Sequence, residues 1–318
     1  MAAPTPNLQR ASAGFTSGWR RGRLAVIGLP YLWLLLFFLL PFLIILRISI
    51  SETDGVALQD LLTWKDGVLQ LSLRFSTYQF LFEDVIYIER YAYSVVYAAV
   101  TTVICLFIGY PFAYFMARAK ATWQPAFLMM VMLPFWTSFL LRVYAWKGLL
   151  SEGGLVANVL TATGLGHVLA SASLIPGPGQ YMHTHFSLVL GMVYTYLPFM
   201  ILPLYANLSK MDLRLLEAAS DLGATPSQAF WRITVPLSKA GIIAGSMLVF
   251  IPCIGEFVIP ELLGGPETLM IGRVLWDEFF SNNDWPMAAS VAVVMVLLIL
   301  VPLAVYNRYQ AEARELGR

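Results

Sequence analysis

Residues 211–241 read MDLRLLEAASDLGATPSQAFWRITVPLSKAG. Their local signals predict two short helices rather than coil. Leu213, Leu216 and Leu222, with Ala219 among them, recur at helical spacing and form an apolar stripe. Gly223 follows, a residue able to take the left-handed conformation that ends a helix. Thr225, Pro226 and Gln228 then form a capping box with proline at the first helical position, so a second helix starts there. The stretch also collects basic residues, with Lys210 at its edge and then Arg214, Arg232 and Lys239. That charge decides how the rest of the chain is threaded.

On either side of this loop the chain is strongly apolar. Hydrophobic residues make up 58% of it, aromatic residues 14% and charged residues 12%, with a mean hydropathy of +0.70. A soluble core of this size could not bury so much apolar surface, so the composition is that of a membrane protein. A spanning helix needs roughly 20 apolar residues to cross about 30 Å of hydrocarbon. Six runs meet this: 24–46, 91–117, 121–147, 186–209, 240–261 and 285–307. The first, second, fourth and sixth contain no Asp, Glu, Lys or Arg; the third is uncharged as far as Leu141, and the fifth holds Glu256 in its interior. The first run follows Arg20, Arg21 and Arg23 and imitates a secretory signal, but it is too long for an h-region and no A-x-A site follows. It is expected to remain as an anchor.

Lys and Arg are retained in cytoplasmic loops, so their positions set the orientation. Thirteen of the 20 basic residues fall on one face: Arg10, Arg20, Arg21 and Arg23; Arg118 and Lys120; the four of the 210–239 loop; and Arg308, Arg314 and Arg318. The expected fold is therefore all-α: a polytopic membrane protein with six transmembrane helices and both termini cytoplasmic. Residues 1–23 and 311–318 are tails to a membrane domain at 24–310. The stretch 155–175 is apolar enough to tempt a seventh span, but a further crossing there would put the basic loop outside. An external or re-entrant helix is expected instead. Prolines at 41, 111, 134, 198, 203, 252 and 260 sit in or beside the spans. Pro252 and Pro260 flank Glu256, so a broken helix is expected at that acid.

The loop is more specific than an amphipathic helix. Glu217-Ala218-Ala219, then Gly223, then Ile233-Thr-Val-Pro236 match the EAA loop of bacterial ABC importer permeases, with Val235 where that family commonly has Leu. The resemblance implies a MetI-like permease fold in the bacterial inner membrane. It also implies that Glu217, Ala218, Ala219, Gly223 and Pro236 couple the chain to a separate ATPase. No phosphate-cradling G-x-x-x-x-G-K-[ST] occurs, nor H-E-x-x-H, C-x-x-C or G-x-S-x-G. The chain is read as a non-catalytic subunit without cofactor, ATP and Mg being used by the partner. Cys105 and Cys253 lie in apolar runs, and His167, His183 and His185 lack a nearby cysteine or converging acid, so no metal site is expected.

Two further stretches narrow the resemblance. LPFWTSFLLRVYAWK at 133–147, and GSMLVFIPCIGEFVIPELLGGPETLMIGR from Gly245 with NDWP at 283–286, are similar to polyamine permeases of putrescine and spermidine systems. Such systems imply a homologous second permease, an ATPase dimer, a periplasmic polyamine-binding protein and a polyamine, putrescine ahead of spermidine; nucleic acid is not among the partners. Charge agrees: residues 48–90 carry seven acids against three bases, residues 262–286 four against one, and Glu152 adds another. An acidic vestibule concentrates a cation; equally, these acids could dock basic residues of the binding protein. Within the membrane a carboxylate costs at least ~2.5 kcal/mol, which makes Glu256 the leading pathway residue, with Glu261 nearer the surface. Trp136, Tyr144, Trp146, Tyr194, Tyr196 and Trp276 are candidates for cation-π contacts, set against the ordinary aromatic belts of membrane interfaces. The alternative role for Glu256 is an ion pair with a cation such as Arg142. The alternative function is an ion-coupled secondary transporter of organic cations using Glu256, and a membrane scaffold is a third; the EAA loop argues against both.

Overall fold

The computed structural model describes residues 26–51, 53–54, 57–58, 62–65, 68–71 and 75–316. The expected tail 1–23 and the outer-loop acids Glu52, Asp60 and Asp66 lie outside these. The first helix is α1 (Val26–Ser49), followed by two short antiparallel ladders, β1 (Thr53–Asp54) with β2 (Ala57–Leu58) and β3 (Leu62–Lys65) with β4 (Val68–Leu71), and by α2 (Ser76–Glu83). Asp84 then caps α3 (Val85–Arg118), its carboxylate accepting from the Ile86 N–H at 2.8 Å. The sequence places this start at residue 91, because Glu89 and Arg90 resemble loop residues. Charge does not stop a helix, however, and 34 residues rise about 51 Å. α3 is therefore longer than a hydrocarbon core of about 30 Å.

α8 (His185–Leu208) and α12 (Lys239–Ile254) pack with α3 to form the core. Cys105, Met192, Met200, Val249 and Cys253 are fully buried there. The cysteines act as small packing groups, Cys105 donating weakly to the Val193 carbonyl at 3.7 Å. α8 starts at a capping box between Thr184 and Ser187. Around the core, large apolar side chains face outward: Phe107 is 82% exposed and Leu141 68%. α1 exposes them along almost its whole length. Water would not tolerate such a surface, and lipid requires one.

Among the described residues, four helices are long and apolar enough to cross a membrane: α1, α3, α8 and Trp285–Arg308 of α15 (Trp285–Leu316). Two bent pairs raise the number to six if each is one span. In the first, α4 (Gln124–Met132) runs through a tight turn at Leu133–Trp136, and α5 (Phe139–Leu150) departs at 89°. The stretch 121–147 is thus a corner rather than one straight helix. Thr137 and Ser138 are extended at the corner, and the Thr137 hydroxyl donates to the Pro134 carbonyl at 2.8 Å.

The second pair joins Pro226–Leu237 to α12 at 63°. α12 itself ends at Ile254, and α13 (Val258–Leu263) follows a break. The stretch 155–175 forms α6 (Leu155–Ala162) and α7 (Leu165–Ser171), helices rising only about 12 and 10 Å, too short to span. Tyr181, fully buried, holds them through a 2.9 Å hydrogen bond with Thr161. The described residues up to Thr77, with Trp285–Val293, form one contact unit, in which the Ser290 hydroxyl donates to the Ser49 carbonyl at 3.1 Å. Tyr78–Asp284 with Val294–Arg318 form the other, which holds the core and the sites below.

Candidate functional site

Both helices expected in the 210–239 loop are present. α9 (Arg214–Asp221) starts where Asp212 accepts from the Arg214 N–H at 3.0 Å. It ends in a Schellman motif: Gly223 N–H donates to the Ser220 carbonyl and Ala224 N–H to the Ala219 carbonyl, each at 2.9 Å. Gly223 has φ +82°, a conformation that costs any other residue. α10 (Pro226–Ala229) opens on the Thr225–Gln228 capping box, and a wide π-type turn at Phe230–Thr234 leads to α11 (Val235–Leu237).

Ala219 is buried against the chain, while Glu217 and Ala218 beside it are exposed, as is Pro236 in α11. The apolar stripe does not lie flat on the chain's own membrane domain: Leu213 is half exposed and Leu222 is 89% exposed. Beneath α9 a cavity of about 290 Å³ lies between Asn207, Lys210, Asp212, Leu215 and Leu237. α9 is thus a capped helix that carries apolar and acidic side chains on its outward face.

The second site is the break after α12. Glu256 is 9% exposed. One of its oxygens accepts from the backbone N–H groups of Val258 and Ile259 at 3.1 and 3.4 Å, capping α13, and the other accepts from the Tyr196 hydroxyl. These donors explain how a carboxylate is kept inside the protein, because every lone pair left bare there would be costly. Gly272, in α14 (Ile271–Trp276), presses against the break, where a Cβ would lie 2.5 Å from the Gly255 oxygen and 2.7 Å from that of Glu256. Ser94 of α3 anchors this helix by accepting from the Ile271 N–H at 2.7 Å.

The aromatic candidates divide. Tyr196 touches Glu256. Trp276 stacks on Phe257, the residue after Glu256, with centroids 4.7 Å apart and planes 9° apart, and Phe280 covers it further at 4.2 Å. Sequence does not single out Phe257 and Phe280, because it is the packing of α14 against the break that brings Trp276 to them. Trp146 and Tyr194 form a separate edge-on pair at 5.4 Å. Trp136 and Tyr144 are 76% and 53% exposed. Glu261 is bound to Arg273, whose Nε also pairs with Asp277 at 2.9 Å, and Glu278 accepts from Tyr87 at 2.8 Å. Arg142 lies over the rings of Phe135 and Phe139, its Nε and Nη1 buried without hydrogen-bond partners, so it is not the ion-pair partner of Glu256. His183 meets the Gly264 carbonyl at 2.7 Å and His185 the Tyr97 hydroxyl.

Residues 106–311, more than half of the chain, match the family described as binding-protein-dependent transport system inner membrane component. The spermidine/putrescine transport system permease protein PotB of Haemophilus influenzae is 35% identical over 282 residues, 89% of this chain and 92% of its own length. PotB of Escherichia coli is 36% identical over 276 residues, covering 87% and 93%. Among solved structures, a chain of a bacterial ABC transporter involved in the import of the acidic polysaccharide alginate superposes with a TM-score of 0.60 over 96% of this chain and 99% of that one. At 17% identity this likeness concerns the fold alone. A helical core crossing the membrane, an exposed capped loop and these matches together establish that the chain belongs to the inner-membrane permease components of binding-protein-dependent transport systems.

Proposed function

We propose that this chain is the permease subunit of an ABC importer for polyamines, putrescine before spermidine, and that it forms the pathway together with a homologous second permease. The chain itself is non-catalytic. ATP and Mg belong to an ATPase dimer, and a periplasmic binding protein delivers the polyamine. The observation that carries the reading is α9, a Schellman-ended helix with Glu217 and Leu222 projecting outward. Its neighbours Lys210, Arg214, Arg232 and Lys239 support a cytoplasmic placement for the 210–239 loop and, by parity, for both termini. ATP is available on that side.

The cargo rests on charge and relationship. The relatives named above are spermidine/putrescine permeases by name. A carboxylate offers about four acceptor positions, and Glu256 engages three donors within the chain. One further donor, such as a substrate ammonium, fits this arithmetic. Tyr196 bonds the acid and Trp276 stacks on the residue after it, so aromatic groups border the carboxylate where a cation would approach. Reconstitution of both permeases, the ATPase and the binding protein in vesicles tests the reading. ATP-dependent uptake of labelled putrescine exceeding that of spermidine is expected, and uptake by this chain alone under an ion gradient would overturn it.

A further inference from the structure

A groove of about 390 Å³ runs between α3 and the wide turn of the coupling loop. Val103, Phe107 and Tyr110 form one wall, and Phe230, Trp231 and Ile242 the other. Its lining presents almost nothing polar, since the Tyr110 hydroxyl is occupied by Ser238 at 2.8 Å. Phe107, Trp231 and Val103 are 82%, 66% and 64% exposed. At hydrocarbon depth such a groove is filled by an acyl chain or by a helix of another subunit.

The continuation of α3 beyond the groove distinguishes these occupants. Residues 103, 107, 110, 114 and 118 recur at three- and four-residue spacing, so one stripe of α3 leads from the groove to Arg118 in the last turn. Arg118 lies over the Tyr114 ring at 5.2 Å, and Tyr114 meets groove-lining Phe230 edge-on at 5.8 Å. Its Nη2 is buried and has no hydrogen-bond partner. Arg232, exposed, follows Trp231 on the opposite wall. Eight residues of helix separate Tyr110 from Arg118, about 12 Å. An apolar slot followed along the same helix by a half-buried guanidinium with an unused donor suits an amphiphile with an anionic head. A transmembrane helix of the second permease seated there would leave the Arg118 donor unused unless it carried an acid at that level.

We propose that this groove binds an anionic phospholipid, its acyl chain between α3 and the Phe230–Trp231 wall and its phosphate on Arg118. The lipid then bridges a core helix and the coupling loop. The proposal rests on the reading above only in placing the loop at the cytoplasmic surface, where anionic lipids and basic residues meet.

The test uses the assembled transporter purified in detergent, exchanged into phosphatidylcholine and titrated with phosphatidylglycerol, with bound lipid counted by native mass spectrometry. Selective phosphatidylglycerol retention is expected, weakened about fivefold by Arg118→Gln, the effect of one interfacial basic residue. Val103→Trp, which fills the slot without touching Arg118, is expected to abolish it; this second variant decides the matter if Arg118→Gln fails to assemble. Equal retention by the variants overturns the proposal. So does displacement of the lipid by inorganic phosphate alone, or cross-linking of Val103→Cys to the second permease in native membranes. Polyamine uptake in the same preparations reports separately on the transport reading, so lipid binding without uptake leaves this proposal standing.

Discussion

The Tyr196 hydroxyl donates to the Glu256 carboxylate across 60 residues of sequence, while the other oxygen of the same carboxylate caps α13. One acid thereby ties α8 to the break between α12 and α13. Glu256→Gln keeps an oxygen for the Val258 and Ile259 N–H groups and an amide for Tyr196, so the complex is expected to assemble and hydrolyse ATP. It removes the charge, and the difference between charged and neutral hydrogen bonds is worth about tenfold in polyamine uptake. Glu256→Ala should also lower the thermal midpoint, losing a cap worth ~1 kcal/mol and stranding a buried hydroxyl at ~1–3 kcal/mol. A Gln variant that falls apart would assign the carboxylate to structure rather than to the pathway.

Gly272 is the point at which α14 meets that break. Adding a methyl group forces the Gly255 and Glu256 carbonyls to move, since neither oxygen belongs to a flexible side chain. Gly272→Ala is therefore expected to cost ~1–3 kcal/mol, as overpacking does, and to reduce uptake by displacing Glu256. Gly148→Ala is the matched control: it lies inside α5, meets nothing within 4 Å, and gains helix propensity. Melting curves of the two purified variants should move in opposite directions, and equal curves would show that the contact is slack.

These two sites differ in how far sequence alone could reach. The two helices of the 210–239 loop were legible because their determinants are local: Thr225 and Gln228 are three residues apart, and Gly223 follows directly on the stripe it ends. Pro252 and Pro260 marked the region of the broken helix, but Tyr196 and Gly272 set its position, and neither is near Glu256 in sequence. Hydrophobicity likewise read 121–147 as one span, because apolar content reports burial in lipid and is blind to direction. The corner depends on the extended backbone of Thr137 and Ser138. Ion pairing was the least legible: Arg273 took up Glu261, and Arg142 settled on two phenylalanine rings.

The left-handed Gly223 offers a test of the loop that leaves its surface chemistry untouched. Gly223→Val places a β-branched residue at φ +82°, where the backbone penalty is roughly 1–2 kcal/mol or more. The Schellman bonds to Ser220 and Ala219 should open and α9 fray. Association with the ATPase is expected to weaken about tenfold, while membrane insertion stays normal. Gly223→Asn, which tolerates this conformation, should restore most of the affinity; if Asn and Val behave alike, the turn geometry is irrelevant to coupling.

Leu222 and Glu217 test the partner directly. Leu222 is 89% exposed, so Leu222→Asp removes little packing within the chain and should change its stability by less than about 0.5 kcal/mol. If a cleft of the ATPase receives this side chain, a carboxylate there costs at least ~2 kcal/mol, roughly thirtyfold in affinity. Glu217→Lys reverses the charge offered to a basic partner from the adjacent turn and is expected to abolish uptake. Binding of the isolated ATPase to the permease pair in nanodiscs, together with uptake in vesicles, separates the effects. Loss of both with unchanged insertion is the expected outcome. Wild-type uptake by either variant would remove that residue from the path along which ATP hydrolysis reaches the membrane.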